Sequence, residues 1–298
     1  MNYLLPFLLV ASHLFAQTNL VEKIVKLRPS TEWKQISTIP LHFPTFHPQG
    51  IVKIGEFYFM SSVEVTRKRR DTNDGGEGVG HLFKFDSSGK LLEQITLGEG
   101  GIFHPGGIDF DGHYIWVPVA EYRPNSKSII YRVSPKTLKV GEVMRFNDHI
   151  GAIVHANSSK TLSGVSWGSR HFYHWGLDAR GNVQKPVPKP EQIRIPNASF
   201  YIDYQDCHSV GKQLMLCGGL QKYRQPDGTS FTLGGLELVN LGDNRPVFQV
   251  PLLIWSPTGN AMTNNPFFIE SIPQGLRAYF VPDDDAASTL FVYEAVLK

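Results

Sequence analysis

Apolar and polar residues alternate along this chain in short runs, and a 3.6-residue apolar period is almost nowhere sustained over a helical length. The runs are bounded by Gly, Asn, Asp and Pro, so they predict many short strands joined by tight turns. The strand pattern repeats. His47-Pro48-Gln49-Gly50-Ile51 matches His104-Pro105-Gly106-Gly107-Ile108, and the match continues in register to Glu64 and Glu121, each 17 residues after its histidine. A third copy opens at His149-Ile150-Gly151-Ala152-Ile153, a fourth near Asp203 and a fifth at Asn265-Pro266. Each of the first four copies is followed by a second two-strand pattern. The fifth stops one strand short, and the segment Trp33 to Leu41, ahead of the first copy, is free to supply it.

Five units of about 45–65 residues, each of four short strands, predict an all-β, five-bladed β-propeller closed by its N-terminal strand. Closure of that kind removes exposed strand edges. A six-bladed ring is the alternative, but the chain offers no sixth anchor. Residues 17–298 are expected to form this single domain. Ahead of it, the apolar run Leu4 to Ala11 and the following Ser12 to Gln17 read as a signal peptide ending at Ala16, which predicts a secreted or periplasmic protein. The run is too short for a transmembrane helix, which needs about 20 residues.

Charge narrows the partners. Lys and Arg number 29 against 27 Asp and Glu, a net +2, so no general affinity for nucleic acid or anionic membrane is expected. A small-molecule ligand and a monomeric chain are the expectation. Cys207 and Cys217 fall nearly opposite each other in a hairpin turning at Gly211-Lys212. In an oxidising compartment they can form a cross-strand disulfide, and otherwise they are two core thiols.

The repeat also predicts a site. First strands of a propeller line the channel, so their starts converge on one face: His47, His104, His149, Asp203 and Asn265. The second-strand ends Glu64, Glu121, Gln221 and Asp284, with Arg170 in the third blade and His81 opening a third strand, are expected around them. Three chemistries follow. His47, His104, His149 and Asp203 can hold a divalent metal ion as cofactor. His47 and His104 with Glu64 and Glu121 can act as general bases and acids without metal. The histidines can instead be turn residues that serve packing alone. The functional expectation is a hydrolase, lactonase or lyase acting at the channel mouth, or a non-catalytic propeller that binds a ligand or protein there.

Other motifs are discounted. Gly164-Val165-Ser166-Trp167-Gly168 has the nucleophile-elbow spacing but runs from strand to strand, where that motif needs a helix. His171 and His174, three apart on a strand, point to opposite faces. Arg67-Lys68-Arg69-Arg70 opens a polar loop with compensating acids, read as solvated or as a lid over an anionic ligand. Asp283-Asp284-Asp285 reads as a solvated turn.

With its His-Pro-x-Gly-Ile repeats, Ile115-Trp116-Val117-Pro118-Val119-Ala120-Glu121-Tyr122-Arg123-Pro124-Asn125-Ser126 and Ser166-Trp167-Gly168-Ser169-Arg170, the chain resembles an uncharacterised family of secreted β-propeller proteins. That resemblance implies a fold and no activity. More distantly the chain is similar to gluconolactonase-type and strictosidine-synthase-like propellers. Those hold a divalent metal on the axis with Glu, Asn and Asp, where this chain places histidines.

Overall fold

The computed structural model describes residues 19–156, 159–285 and 288–297; the signal peptide expected at residues 1–16 lies outside them. Five antiparallel sheets are arranged in a five-bladed propeller. The first blade is β2 (His47–Ile54), β3 (Phe57–Arg67), β4 (Glu77–Phe85) and β5 (Leu91–Leu97). In the second, the first strand is split into β6 (Ile102–Pro105) and β7 (Asp109–Phe110), followed by β8 (Ile115–Glu121), β9 (Ser128–Val133) and β10 (Val140–Phe146). The third is β11 (Ile150–Ala156), β12 (Thr161–Ser166), β13 (His171–Gly176) and β14 (Ile195–Pro196). The fourth is β15 (Asp203–Ser209), β16 (Leu214–Arg224), β17 (Ser230–Asn240) and β18 (Arg245–Leu252). The last has β19 (Phe267–Ile272), β20 (Gly275–Phe280) and β21 (Thr289–Val296), and β1 (Trp33–Pro40) pairs with β21 to complete it.

Five sheets exclude the six-bladed alternative. Three local expectations need correction. The second two-strand pattern expected after each of the first four copies is cut short in the third blade: its fourth strand is the two-residue β14, and the residues between Gly176 and Ile195 hold a Leu177–Val183 bridge and a helical turn at Pro190–Ile193 instead. His81 sits inside β4, which starts four residues earlier at Glu77. Asp283 is buried and accepts hydrogen bonds from Ser256, Thr258 and Asn260, so it anchors a turn rather than facing solvent.

Burial explains the sequence pattern. Every blade is sandwiched between two others, so inner strands are apolar on both faces: all but the last residue of β8 is buried. Outer strands such as β5 keep one face in water. Side chains alternate between the two gaps. On β8, Ile115 and Val117 pack toward the first blade with Val52 and Phe59, while Trp116 packs toward the third with Tyr173 and Trp175. The core is thus five apolar layers between blades.

The first strands crowd the axis, which explains the glycines of the repeat. A Cβ on Gly50 would lie 2.5 Å from the Ile108 nitrogen, and one on Gly106 would lie 2.0 Å from the Gly151 oxygen. The last glycine of each His-Pro-x-Gly copy and its neighbours therefore serve close backbone approach. The first strand of each of the first four blades also carries a register shift near its start. Such bulges re-aim the side chains around them.

Candidate functional site

The first-strand starts lie at one end of the ring. His104 and His149 meet there, with ring centroids 6.0 Å apart. His104 is 6% exposed and stacks on Tyr122 at 4.3 Å, and neither of its ring nitrogens has a hydrogen-bond partner. His149 is 4% exposed. Its Nδ1 donates to the Glu121 carbonyl at 2.9 Å. A carbonyl only accepts, so the proton is on Nδ1 and Nε2 carries the lone pair. Burial pushes the His149 pKa down to about 4. Burial, with the neighbouring imidazoles of His149 and His47, holds His104 well below the usual histidine value. Both rings are therefore neutral at pH 7.

Aromatic rings and an arginine cover the pair. Trp167, on a short turn of 3₁₀ helix between β12 and β13, meets His149 edge-on at 4.8 Å and Tyr122 at 5.7 Å. The Arg69 guanidinium lies 4.6 Å from the Tyr122 ring and 5.1 Å from the Trp167 ring, and it donates to the Tyr122 carbonyl. Arg69 is partly buried, and cation–π contacts between the exposed and desolvated limits are worth about 0.5–2 kcal/mol each. The loop is pinned from within, because Arg67 and Arg70 bond to Asp74 and Arg67 also bonds to Glu77. Of the tetrad, Arg69 is the member that reaches across the mouth.

The remaining expected residues divide into separate pairs. His47 bonds through Nδ1 to Asp284 at 2.9 Å, and Asn265 donates to the same carboxylate oxygen. Glu64 faces His81 at 3.3 Å and not His47. The Glu121 carboxylate pairs with Arg123, so only its carbonyl orients an imidazole. Asp203 faces Arg170 at 3.3 Å. Gln221 belongs to the long β16–β17 arm, whose outer part is held by Tyr223 stacked on Phe231.

The residues as placed do not fit a divalent ion. Among the described residues, no three His, Cys, Asp or Glu side chains gather at metal-binding spacing. The set His47, His104, His149 and Asp203 is split because two of its members are turned to Asp284 and Arg170.

A second polar cluster, absent from the sequence reading, fills the axis. Asp206 is fully buried and accepts from the backbone N–H groups of Ile51, Ile108 and Cys207, tying three blades together. His208 donates through Nε2 to the Phe267 carbonyl, with Asp206 at 3.5 Å and Asp109 at 3.9 Å. Burial lowers the His208 pKa, but the two carboxylates outweigh it and hold the value above normal. Burial pushes Asp109 up to about 6. Between Asp206 and His208, Cys207 is bonded to Cys217, directly opposite it across the hairpin.

Another hollow lies away from this end of the ring. About 650 Å³ lies between the first two blades at the far ends of their first strands, walled by aromatic residues such as Phe57, Phe59 and Tyr114 and by the basic side chains of Lys84, His113 and Lys136. No helix among the described residues is long and apolar enough to cross a membrane.

Comparison with known proteins places the chain. Residues 6–298 match the profile described as "Family of unknown function (DUF6454)", so the chain belongs to that family. A search of curated protein sequences gives no match. Among solved structures, the chain is similar to the tail fiber of Staphylococcus aureus phage P68, with a TM-score of 0.50 and 10% identity over 94% of this chain and 56% of that one. It therefore spans little more than half of that fibre. A mannose phosphorylase from Leishmania mexicana gives a TM-score of 0.47 and 8% identity, covering 87% of this chain and 88% of that one. The periplasmic gluconolactonase of Pseudomonas aeruginosa gives 0.39 and 11%, covering 84% and 88%. At these identities the likeness concerns the propeller fold alone.

Proposed function

We propose that the end of the ring carrying His104 and His149 is a small-molecule site in which the two imidazoles act as metal-free bases. The observation that carries this reading is His104: a buried imidazole with no partner on either nitrogen. Leaving a buried polar group unpaired costs about 1–3 kcal/mol, and a ligand that supplies the missing hydrogen bond recovers it. His149 stands beside it with its lone pair on Nε2, set by the Glu121 carbonyl. An anionic group bound between them would raise both pKa values toward the range where a base works best. Arg69 supports recognition of that anion.

The reaction class that suits this set is addition of water to an ester or lactone carbonyl, or proton abstraction in a lyase. In the first, His149 takes a proton from water as its oxygen adds to the carbonyl carbon, the bond from that carbon to the alkoxy oxygen breaks, and His149 returns the proton to the leaving oxygen. A secreted or periplasmic setting fits the Cys207–Cys217 disulfide, which persists in oxidising compartments.

The second reading is a non-catalytic binding site. It is favoured by the slot between Tyr122 and Trp167, now filled by Arg69, since aromatic slots anchor ligands without chemistry. One experiment separates the two. A panel of small γ- and δ-lactones is offered to the full chain in weak buffer, with acid release followed by indicator and binding by thermal shift. Acid release that falls at least about 100-fold in His149→Ala supports the catalytic reading. Thermal shifts without acid release support binding, and the absence of both ends the proposal for this ligand class.

A further inference from the structure

Away from the mouth, the third blade holds a serine and a histidine that the reading above does not use. The β12–β13 register places Ser163 directly opposite His174. Side chains so paired on one face lie within reach of each other. Ser163 Oγ is 2.8 Å from His174 Nδ1, and His174 Nε2 is 2.7 Å from Asn244 Oδ1. Asn244 comes from the next blade, in the turn between β17 and β18, where its backbone is left-handed with φ 58°. That turn carries its amide across the gap between blades.

The chain of bonds fixes the proton positions. An amide oxygen accepts, so Nε2 carries the imidazole proton. Nδ1 then has the lone pair, and the Ser163 hydroxyl donates to it. Burial lowers the His174 pKa, which keeps the ring neutral and basic. This is the serine–base–orienter order of an activated hydroxyl. A cavity of about 100 Å³ adjoins it, lined by Ser163, His174, Thr161, Gln213, Ala156 and Leu241. That is space for about three waters, and so for a short acyl group only.

The contrast with Ser166 is instructive. Ser166 also faces a histidine, His171, but its Oγ accepts from the His171 backbone N–H at 3.0 Å and closes the turn. The nucleophile-elbow spacing points to the wrong serine. The serine with a base and an orienter is three residues earlier, on the opposite face of the same strand.

We propose that Ser163 is the nucleophile of a second, independent site, with His174 as its general base and Asn244 as the residue that positions His174, acting on esters of short carboxylic acids. As Oγ bonds to the ester carbonyl carbon, its proton passes to His174 Nδ1. The carbon–oxygen bond to the alcohol breaks and His174 returns that proton to the leaving oxygen. Water then adds to the acyl carbon, its proton again passing to Nδ1, and Oγ leaves and is reprotonated. The Gln213 side-chain amide, in the cavity wall, is the group suited to donate to the carbonyl oxygen.

The test uses the full, disulfide-bonded chain with p-nitrophenyl acetate and p-nitrophenyl octanoate at pH 8. Acetate is expected to release p-nitrophenolate at least tenfold faster than octanoate, and acid-quenched protein is expected to carry an acetyl group on Ser163 by peptide mass spectrometry. Ser163→Ala should abolish the adduct and lower release at least 100-fold with an unchanged circular dichroism spectrum. Asn244→Ala should lower release about tenfold or more, as loss of an orienting partner does. Should Ser163→Ala fail to fold, the wild-type adduct decides alone. Acetylation at other residues only, or release no faster than from the unfolded chain, overturns the proposal. The adduct is read whether or not any lactone is opened at the mouth, so failure at one site leaves the other standing.

Discussion

His104 and His208 are each 6% exposed and both belong to first strands of the ring, yet they are treated in opposite ways. His208 donates through Nε2 to the Phe267 carbonyl and lies between two carboxylates, with only its Nδ1 lacking a hydrogen bond. His104 has stacking partners and no hydrogen bond at all. Equal burial with unequal satisfaction separates two roles. A buried polar group that is satisfied can tie a structure together, because breaking the tie strands its partners. A buried polar group left unsatisfied works against stability and is held in place by its surroundings. The axis is built from the first kind and the mouth contains the second.

The largest expected effect tests the axial half of that contrast. Asp206→Ala leaves the N–H groups of Ile51, Ile108 and Cys207 without their acceptor in a fully buried site. At about 1–3 kcal/mol for each stranded group, the loss should reach about 4 kcal/mol or more. Urea unfolding measures it. A variant with the wild-type midpoint would mean that Asp206 does not tie the blades, and the distinction between axis and mouth would collapse.

The next effect is smaller and depends on pH. The folded pKa of His149 lies below its unfolded value of 6.5, at about 4. Its contribution to stability is therefore complete above pH 6.5 and is lost as pH falls toward 4, because the unfolded chain takes up a proton that the folded chain refuses. Asp109 runs the other way. Its pKa is raised to about 6, so its contribution is lost as pH rises through 6. The two oppose each other in the wild-type curve, and the comparison must be made against a variant. Going from pH 7 to pH 5, His149→Gln should lose about 2 kcal/mol less stability than the wild type. Equal losses in the two proteins would show that His149 is not held neutral.

Much of the fold was legible in the sequence, because a ring turns equal spacing into equal position. The repeated His-Pro-x-Gly gave the first strands, the unmatched Trp33 to Leu41 gave the closing strand, and the hairpin at Gly211-Lys212 placed Cys207 opposite Cys217. The site was legible only where the repeat reached. It led to His104 and His149 and placed Glu64 near them, but an equal offset carries no information on partners, and the Glu64–His81 pair is seen only in the structure. Asp206 and His208, two apart on β15, meet Asp109 of the second blade only across the axis of the ring, so no repeat marks the three. Their one local signal is a charged residue among buried neighbours, as with Asp109 after Ile108. The tetrad holding Arg69 reads as a solvated loop or a lid, and its contact with Trp167 is not legible, because a contact between blades has no spacing rule. Asn244 is hidden for the same reason: the hairpin pairs Ser163 with His174, but only the packing of two blades brings the amide to them.

The smallest expected effect on stability decides the other half of the contrast. His104→Phe removes two ring nitrogens that have no protein partner and keeps a flat ring against Tyr122. Replacing an unsatisfied buried polar group by an apolar one of similar shape is close to neutral or stabilising. The larger phenyl ring works against this, since overpacking in a dense interior carries its own cost. The net change should stay within about 1 kcal/mol of the wild type. Ligand-induced thermal shift or lactone opening at the mouth should nonetheless disappear. A loss of about 3 kcal/mol or more, on the scale of a broken buried network, would place His104 with His208 as a structural residue and remove the mouth's claim to chemistry.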